Sequence, residues 1–335
     1  VAGVIDGNLQ IGRKQTPLKD GDSGQLLRLH GKPSGESIEL TLSSVTDDGK
    51  VRTTATTKVP QQAVMGNVAL VNNFDSSLKP AQGGRYRFSN WTVGGSAFTV
   101  DHTRRFGAIL WSMYTLSDSR SDEGFVMKIS ALLPPLGARD NDSVELQVDR
   151  EGNWKSLGHA RLDRDAWTAT FRVSNWDETR EHRYRLVYQE QKTNKTVRTS
   201  EWTGVIKANP SGRPLRLGAL TCQNHYGFPY APVADNVVKL DPDMLYFSGD
   251  QLYESHGGYG LIRDPAGPAI LNYLRKFYMF GLAFREALRD RPTVCIPDDH
   301  DVFQGNIWGE GGAAMKGIDK GASSKGGYRE PARMV

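Results

Sequence analysis

Short runs of alternating apolar and polar residues dominate the first two thirds of the chain. Several have the period of two that is typical of half-buried β-strands: 37–45, 66–74, 144–150, 168–173 and 183–190. Turn-forming sequences such as DDGK (47–50) and REGN (150–153) separate them. Many short strands at this spacing, with no sustained helical period, predict all-β sandwiches up to about residue 208.

This β region is expected to contain two domains. The segment GGRYRFSNWTVGG (83–95) resembles the closing strands of a concanavalin-like jelly roll of the laminin-G type, so residues 1–103 are assigned to a partial domain of that kind. Residues 104–208 fit a seven-strand immunoglobulin- or fibronectin type III-like sandwich. Trp154 and Tyr188 are its candidate core or corner aromatics.

The pattern changes after the Pro- and Gly-rich segment 208–214, where strands begin to alternate with helices. Buried strands are predicted at 216–222, 243–250 and 292–299. Helices are predicted at 234–240 and at 268–290, the second with Pro268 at its start. This alternation builds a parallel, helix-covered sheet, so residues 212–335 are assigned to an α/β domain.

Composition and charge exclude few classes of protein. The 335 residues are 38% hydrophobic and 24% charged, which is ordinary for a globular protein with more than one core. No window approaches the roughly 18 uninterrupted apolar residues of a membrane helix, so no transmembrane segment is expected. The net charge of +4 suits an anionic substrate, and no specific nucleic-acid binding is expected.

Cysteine usage and the first residues give little information about the compartment. The two cysteines, Cys222 and Cys295, provide no disulfide framework. The opening residues VAGVIDGN contain neither an initiator Met nor a signal peptide, which suggests a fragment.

Each of the three predicted parallel strands ends at a side chain that can bind a metal: Cys222, Asp250 and the run Asp298-Asp299-His300. Ligands of open α/β sheets gather beyond the carboxyl ends of the strands. Carboxylates brought together repel each other unless a cation compensates. Oxygen ligands with a thiolate and a phenolate suit a hard ferric ion beside a divalent one. Such a pair could bridge a hydroxide and clamp a phosphoryl group, with His300 as proton donor.

Each of these residues also has a structural alternative. Taken alone, Cys222 could be a buried small hydrophobe, Asp250 a turn residue or helix N-cap, and His300 a surface histidine. Three further residues are assigned to loops or to the core: His225, His256 and Cys295. Only the joint pattern supports a metal site.

Three motifs, ALTCQ (219–223), FSGDQLYE (247–254) and PDDHDV (297–302), resemble in this order the alkaline phosphatase D family of the calcineurin-like metallophosphoesterases. The resemblance covers residues 212–335 and implies the N-terminal half of that catalytic domain, behind a β-sandwich. It also implies a role for each matching residue: Cys222 and Tyr253 as ferric ligands, Asp250 as the bridge between two metals, Asp299 as a ligand of the second metal and a catalytic residue, His300 as the catalytic histidine, and Asp298 as a supporting residue.

The resemblance implies hydrolysis of phosphate diesters and monoesters by a metal-bound hydroxide, in the periplasm or outside the cell. Fe3+ and Ca2+ are the implied cofactors, with Zn2+ or Mn2+ as alternatives. Thr221, Gln251 and Asp301 depart from the family's Ser, aromatic residue and Glu. The later ligand motifs do not occur, and the Gly- and Lys-rich segment 305–335 is interpreted as an active-site loop.

Two other functions remain open. The chain could be a carbohydrate- or surface-binding protein with a structural or inactive phosphatase-like domain, in which case a glycan would bind the first domain. It could also be a related metallohydrolase that acts on a non-phosphate ester.

Overall fold

The computed structural model divides the chain into two compact units, Val1–Trp91 and Thr92–Val335. Its described residues are 2–18, 26–66, 68, 70, 88, 90–99, 107–138, 140–191, 197–223, 227–253, 261–262 and 265–302. Within them, strands predominate over helices and form several small sheets. No helix in this part of the chain has the length and apolar composition needed to cross a membrane.

The first unit contains two three-stranded antiparallel sheets. Its strands are β1 (Ala2–Ile5), β2 (Asn8–Ile11), β3 (Lys14–Pro17), β4 (Leu26–Ser34), β5 (Ser37–Val45) and β6 (Val51–Pro60). The sheets have the orders β1-β2-β3 and β4-β5-β6. A small core of Leu9, Ile11, Leu42 and Ala55 packs between strands of both sheets. β5 has the bounds that the alternation at 37–45 predicts.

Two other predictions for this unit are only partly covered by the described residues. Of the strand predicted at 66–74, residues 66, 68 and 70 are described and lie outside any strand. Of the segment 83–95, residues 88 and 90–95 are described and also form no strand. The remaining positions lie outside the described residues, and the jelly-roll assignment stays a prediction.

The second unit begins with seven described strands in two antiparallel sheets, an arrangement compatible with the predicted β-sandwich. They are β7 (Trp111–Asp118), β8 (Phe125–Leu132), β9 (Ser143–Arg150), β10 (Asn153–Arg161), β11 (Thr168–Val173), β12 (His182–Gln191) and β13 (Val197–Ile206). The orders are β10-β9-β12-β13 and β11-β8-β7. Alternation decides which side chains enter the core: Val144, Leu146 and Val148 of β9 are fully buried.

One of the two predicted core aromatics is correct and the other is wrong. Tyr188 is buried, and its hydroxyl donates a hydrogen bond to the Asn141 carbonyl at 2.8 Å. Trp154 is only half-buried, because its ring lies on the outer face of the sheet. The guanidinium groups of Arg183 and Arg185 cover it, 5.8 and 4.6 Å from the ring centroid. In the described part of the chain the buried tryptophans are instead Trp111, Trp167, Trp176 and Trp202.

Strands and helices alternate in the rest of the second unit. The elements are β14 (Leu217–Leu220), α1 (Ala231–Leu240), β15 (Met244–Phe247), α2 (Ala266–Arg289) and β16 (Thr293–Cys295). The strands form a parallel sheet in the order β14-β15-β16. α2 begins two residues before the predicted start, with Pro265 as N-cap, so Pro268 lies within its first turn, where proline is tolerated.

The parallel sheet and the seven-stranded part share one apolar core. Phe247 of β15 packs edge-on against Phe280 and Phe284 of α2, with ring centroids 4.9 and 5.3 Å apart. The Trp111 ring of β7 lies directly on Gly281 of α2, where any side chain would overlap it. This core fixes the sheet and therefore the positions of the strand ends.

Candidate metal centre

The carboxyl ends of the three parallel strands meet at one edge of the sheet, as predicted. Leu220 of β14 lies opposite Phe247 of β15, which lies opposite Cys295 of β16. Each strand is two to four residues shorter at this end than predicted, because the chain turns away before the ligand-type residues. These residues therefore lie on the loops just beyond the strands, where α/β sheets bind their ligands.

The loops after β14 and β15 are joined through two residues in the left-handed conformation. Cys222 has a φ of +56° and Asp250 a φ of +54°, values that are uncommon for residues with a side chain. The Cys222 amide donates to the Gly249 carbonyl at 3.2 Å, and the Gln223 amide donates to the Asp250 carbonyl at 2.9 Å. This pairing places the Cys222 Sγ 3.7 Å from the Asp250 Oδ2.

Cys222 is exposed, which rules out its structural alternative as a buried hydrophobe. A cysteine that binds a metal ion must be accessible, and the exposed Cys222 thiol meets this condition. Cys295, by contrast, is the last residue of β16 rather than a mid-strand residue. It is half-buried against the core, and burial raises the pKa of its thiol to about 12.

The loop after β16 packs onto the loop after β15 at a glycine. Gly249 has a φ of +115°, and a Cβ there would overlap the Cβ of Asp298 and lie 2.9 Å from its backbone nitrogen. Only glycine permits both the conformation and the contact. The Gly-Asp pair of the second motif is thus needed to bring the third motif into place.

Asp250, Asp299 and His300 form a group that could hold a metal ion. Each offers one ligand atom, and these atoms lie within 4.8 Å of one another. Ligand atoms that each lie about 2.0–2.6 Å from one ion are at most about 4–5 Å apart, so the spacing fits a shared ion. Asp250 is buried, whereas Asp299 and His300 are half-buried.

The buried carboxylate of Asp250 has one oxygen without a hydrogen bond. Within the described part of the chain, its Oδ1 is buried and has no hydrogen-bond partner. An unpaired buried carboxylate oxygen is costly, and a bound cation is one of the few partners that removes this cost. The donor set therefore fits a metal ion.

Tyr253 lies beside the same group. Its ring centroid is 4.4 Å from that of His300, with the ring planes 39° apart. Burial raises the pKa of Tyr253 well above its ordinary value, and the neighbouring Asp250 carboxylate and Cys222 thiol raise it further. A cation would act in the opposite direction by stabilising the phenolate.

Asp298 supports the group without joining it. Its side chain is directed at the chain itself: the Oδ1 accepts a hydrogen bond from the Asp299 amide at 2.8 Å. The bonded amide belongs to the first residue of the short 3-10 helix Asp299–Val302. Of the predicted site residues, the structure thus brings Cys222, Asp250, Tyr253, Asp299 and His300 together around one edge.

One residue of the site, Asp301, is missed by the sequence analysis, which treats it only as a substitute for Glu. It is 4% exposed and accepts backbone hydrogen bonds from four residues: Asp250, Gln251, Leu252 and Asp298. Burial raises the pKa of this carboxyl group to about 6, and the backbone donors oppose the rise. The spacing Asp298-x-x-Asp301 is that of a capping box, which is the signal that could have identified it.

His225, His256 and the segment 305–335 lie outside the described residues, so their predicted loop positions stay predictions. Comparison with protein-family models and with curated proteins finds no match for this chain.

Proposed function

We propose that this chain contributes ligands and a proton donor to a metal-dependent phosphoesterase centre of the alkaline phosphatase D type. One observation carries the proposal: the buried, unpaired Oδ1 of Asp250 belongs to a carboxylate within 4.8 Å of ligand atoms from Asp299 and His300. The ends of two neighbouring parallel strands, β15 and β16, deliver these groups to one edge, and the end of β14 brings Cys222 beside them. Neither a solvated turn nor a helix cap needs that convergence.

The residues that would hold metal are Asp250, Asp299, Cys222 and Tyr253. Asp250 lies between the Cys222 thiol and the pair Asp299 and His300, which suits it to bridge two ions. Fe3+ and Ca2+ are the ions that the resemblance implies, and Zn2+ or Mn2+ would also suit carboxylate and imidazole ligands. When bound, such ions supply Lewis acidity at a phosphoryl oxygen and lower the pKa of water.

The residues of the chain have defined tasks in this reaction. A phosphate ester is an anion, so the carboxylates of Asp250 and Asp299 would repel it unless their charge is compensated. His300 is half-buried at the same edge and is proposed to donate a proton to the leaving oxygen. The Tyr253 ring, whose centroid is 4.4 Å from that of His300, limits the orientations available to the imidazole.

The proposal includes an α/β metallophosphoesterase domain preceded by an immunoglobulin- or fibronectin type III-like sandwich and a jelly roll. The seven strands in a four- and a three-stranded sheet support the middle assignment. A periplasmic or secreted location and a glycan partner for the first domain are also proposed. They rest on the family resemblance alone.

Metal analysis and turnover of bis-(p-nitrophenyl) phosphate by the full-length protein test the proposal. We expect bound metal and turnover in the wild type, with both strongly reduced in Cys222→Ala and Asp250→Ala. Cys295→Ala is the matched control, because it removes the other thiol without touching the proposed ligands. A metal-free, inactive protein that still binds glycans would instead favour the surface-binding alternative.

A further inference from the structure

The Asp301 carboxylate is the junction between two loops that are distant in sequence. Its Oδ2 accepts hydrogen bonds from the amides of Asp250, at 2.6 Å, and Asp298, at 3.0 Å. Its Oδ1 accepts from the amides of Gln251, at 2.8 Å, and Leu252, at 3.3 Å. One side chain thus holds three successive amides after β15 and one amide after β16.

The donors that Asp301 holds belong to the residues that define the site. Asp250 is the proposed bridging ligand, and its left-handed backbone needs outside support. Asp298 directly precedes Asp299 and His300, and its side chain accepts a hydrogen bond from the Asp299 amide. Hydrogen bonds from amides to a carboxylate are short and strong, so the junction fixes both loops against each other.

We propose that Asp301 is a positioning residue that sets the separation of Asp250 from Asp299 and His300, and thereby the affinity of the site for metal. The inference rests on the proposed function, because the residues that Asp301 spaces are the proposed ligands Asp250 and Asp299 and the proposed proton donor His300. Asp301 itself is not proposed to contact metal or substrate. Partners of this kind change metal affinity by about 10- to 100-fold when they are lost.

Asp301→Asn tests the junction with the smallest change of shape. Each carboxylate oxygen accepts two amides, so either orientation of the new side-chain amide presents an NH2 group to two donors. Two of the four hydrogen bonds must therefore break. Asp301→Glu keeps both acceptor oxygens but moves them by one methylene, and it serves as the second variant if Asp301→Asn does not fold.

Asp243→Asn is the matched control at the opposite end of the same sheet. Asp243 directly precedes β15, pairs with Arg213 through contacts of 2.6 and 2.7 Å, and accepts the Arg216 amide at 2.8 Å. Its replacement weakens the fold in a similar way but far from the strand ends. A purely structural role for Asp301 would make the two variants behave alike.

The measurement is Mn2+ binding to the full chain, followed by the loss of the free-ion EPR signal, with thermal melts run alongside. We expect Kd to rise about 10-fold or more in Asp301→Asn and about threefold or more in Asp301→Glu, and to stay within about twofold in Asp243→Asn. Wild-type affinity in folded Asp301→Asn or Asp301→Glu would overturn the inference and leave the proposed function standing. A wild type that binds no Mn2+ would overturn both.

Discussion

Replacing Gly249 by Ala should be one of the most damaging single-methyl changes in the second unit. Ala at a φ of +115° is strained by about 1–3 kcal/mol. Its Cβ would also overlap the Cβ of Asp298, and overpacking of this kind costs about a further 1–3 kcal/mol. The free energy of unfolding should therefore fall by about 2–6 kcal/mol, against a total of about 5–15 kcal/mol for a typical protein.

Gly212→Ala is the control that separates strain from overlap. Gly212 also has a positive φ, of +70°, but a Cβ there would meet no atom within 4 Å. Its replacement should cost only the strain of about 1–2 kcal/mol. Urea unfolding followed by the fluorescence of the buried tryptophans measures both variants. Equal destabilisation by the two substitutions would refute the packing of the loop after β16 against Gly249.

Three further changes test other parts of the structure. His300→Gln should retain metal and lower turnover of bis-(p-nitrophenyl) phosphate by about 10²- to 10⁴-fold, as expected for loss of a proton donor; loss of metal would show instead that His300 is a ligand. Tyr184→Phe should lower the free energy of unfolding by about 1–3 kcal/mol without changing Mn2+ affinity, because the buried hydroxyl bonds Ser112 at 2.6 Å and the Arg289 carbonyl at 2.9 Å. His182→Gln should flatten the acid limb of the stability profile, measured by urea unfolding between pH 5 and 8; an unchanged slope would contradict the burial of neutral His182.

The direction of the His182 effect follows from its hydrogen bonds. Its Nε2 donates to the Asp177 carbonyl at 2.8 Å and its Nδ1 accepts from Arg150 at 3.1 Å, which requires the neutral ring. Burial, with Arg150 and Arg180, lowers its pKa below the ordinary 6.5, against the opposing effect of Asp177. Below pH 6.5 the unfolded chain thus binds more protons than the folded one. The stability contribution is complete above pH 6.5 and declines as the pH falls towards the folded pKa.

Local sequence patterns predict much of the second unit because its strands alternate regularly. The bounds of β11 match the pattern at 168–173, those of β9 differ by one residue at its start, and those of β12 differ by one residue at each end. The strands of the parallel sheet come out shorter than predicted. The predicted segments extend into the loops, because periodicity alone does not indicate where hydrogen bonding to the next strand stops.

The features that the sequence did not predict depend on contacts between residues that are distant along the chain. Trp154 is large and aromatic, which is typical of a core residue. Only the pairing of β9 with β10 and β12 shows that its ring faces outward, beneath Arg183 and Arg185. In the sequence, Asp301 looks like an ordinary acidic residue of a turn. Its role becomes visible only in the fold, where the loop at 250–252 donates hydrogen bonds to its carboxylate. The convergence of the three ligand-bearing strand ends was predictable, because parallel strands align their carboxyl ends at one edge of the sheet. This alignment does not depend on the conformation of the loops.

The most direct test of the metal site is anomalous X-ray diffraction from crystals of the full chain grown with Mn2+. We expect an anomalous peak about 2.0–2.6 Å from the Asp250 Oδ1, with Asp299 within ligand distance of a metal at the same edge of the sheet. An Asp250 Oδ1 that contacts only water or protein at saturating Mn2+, with no peak beside it, would show that Asp250 is not a metal ligand.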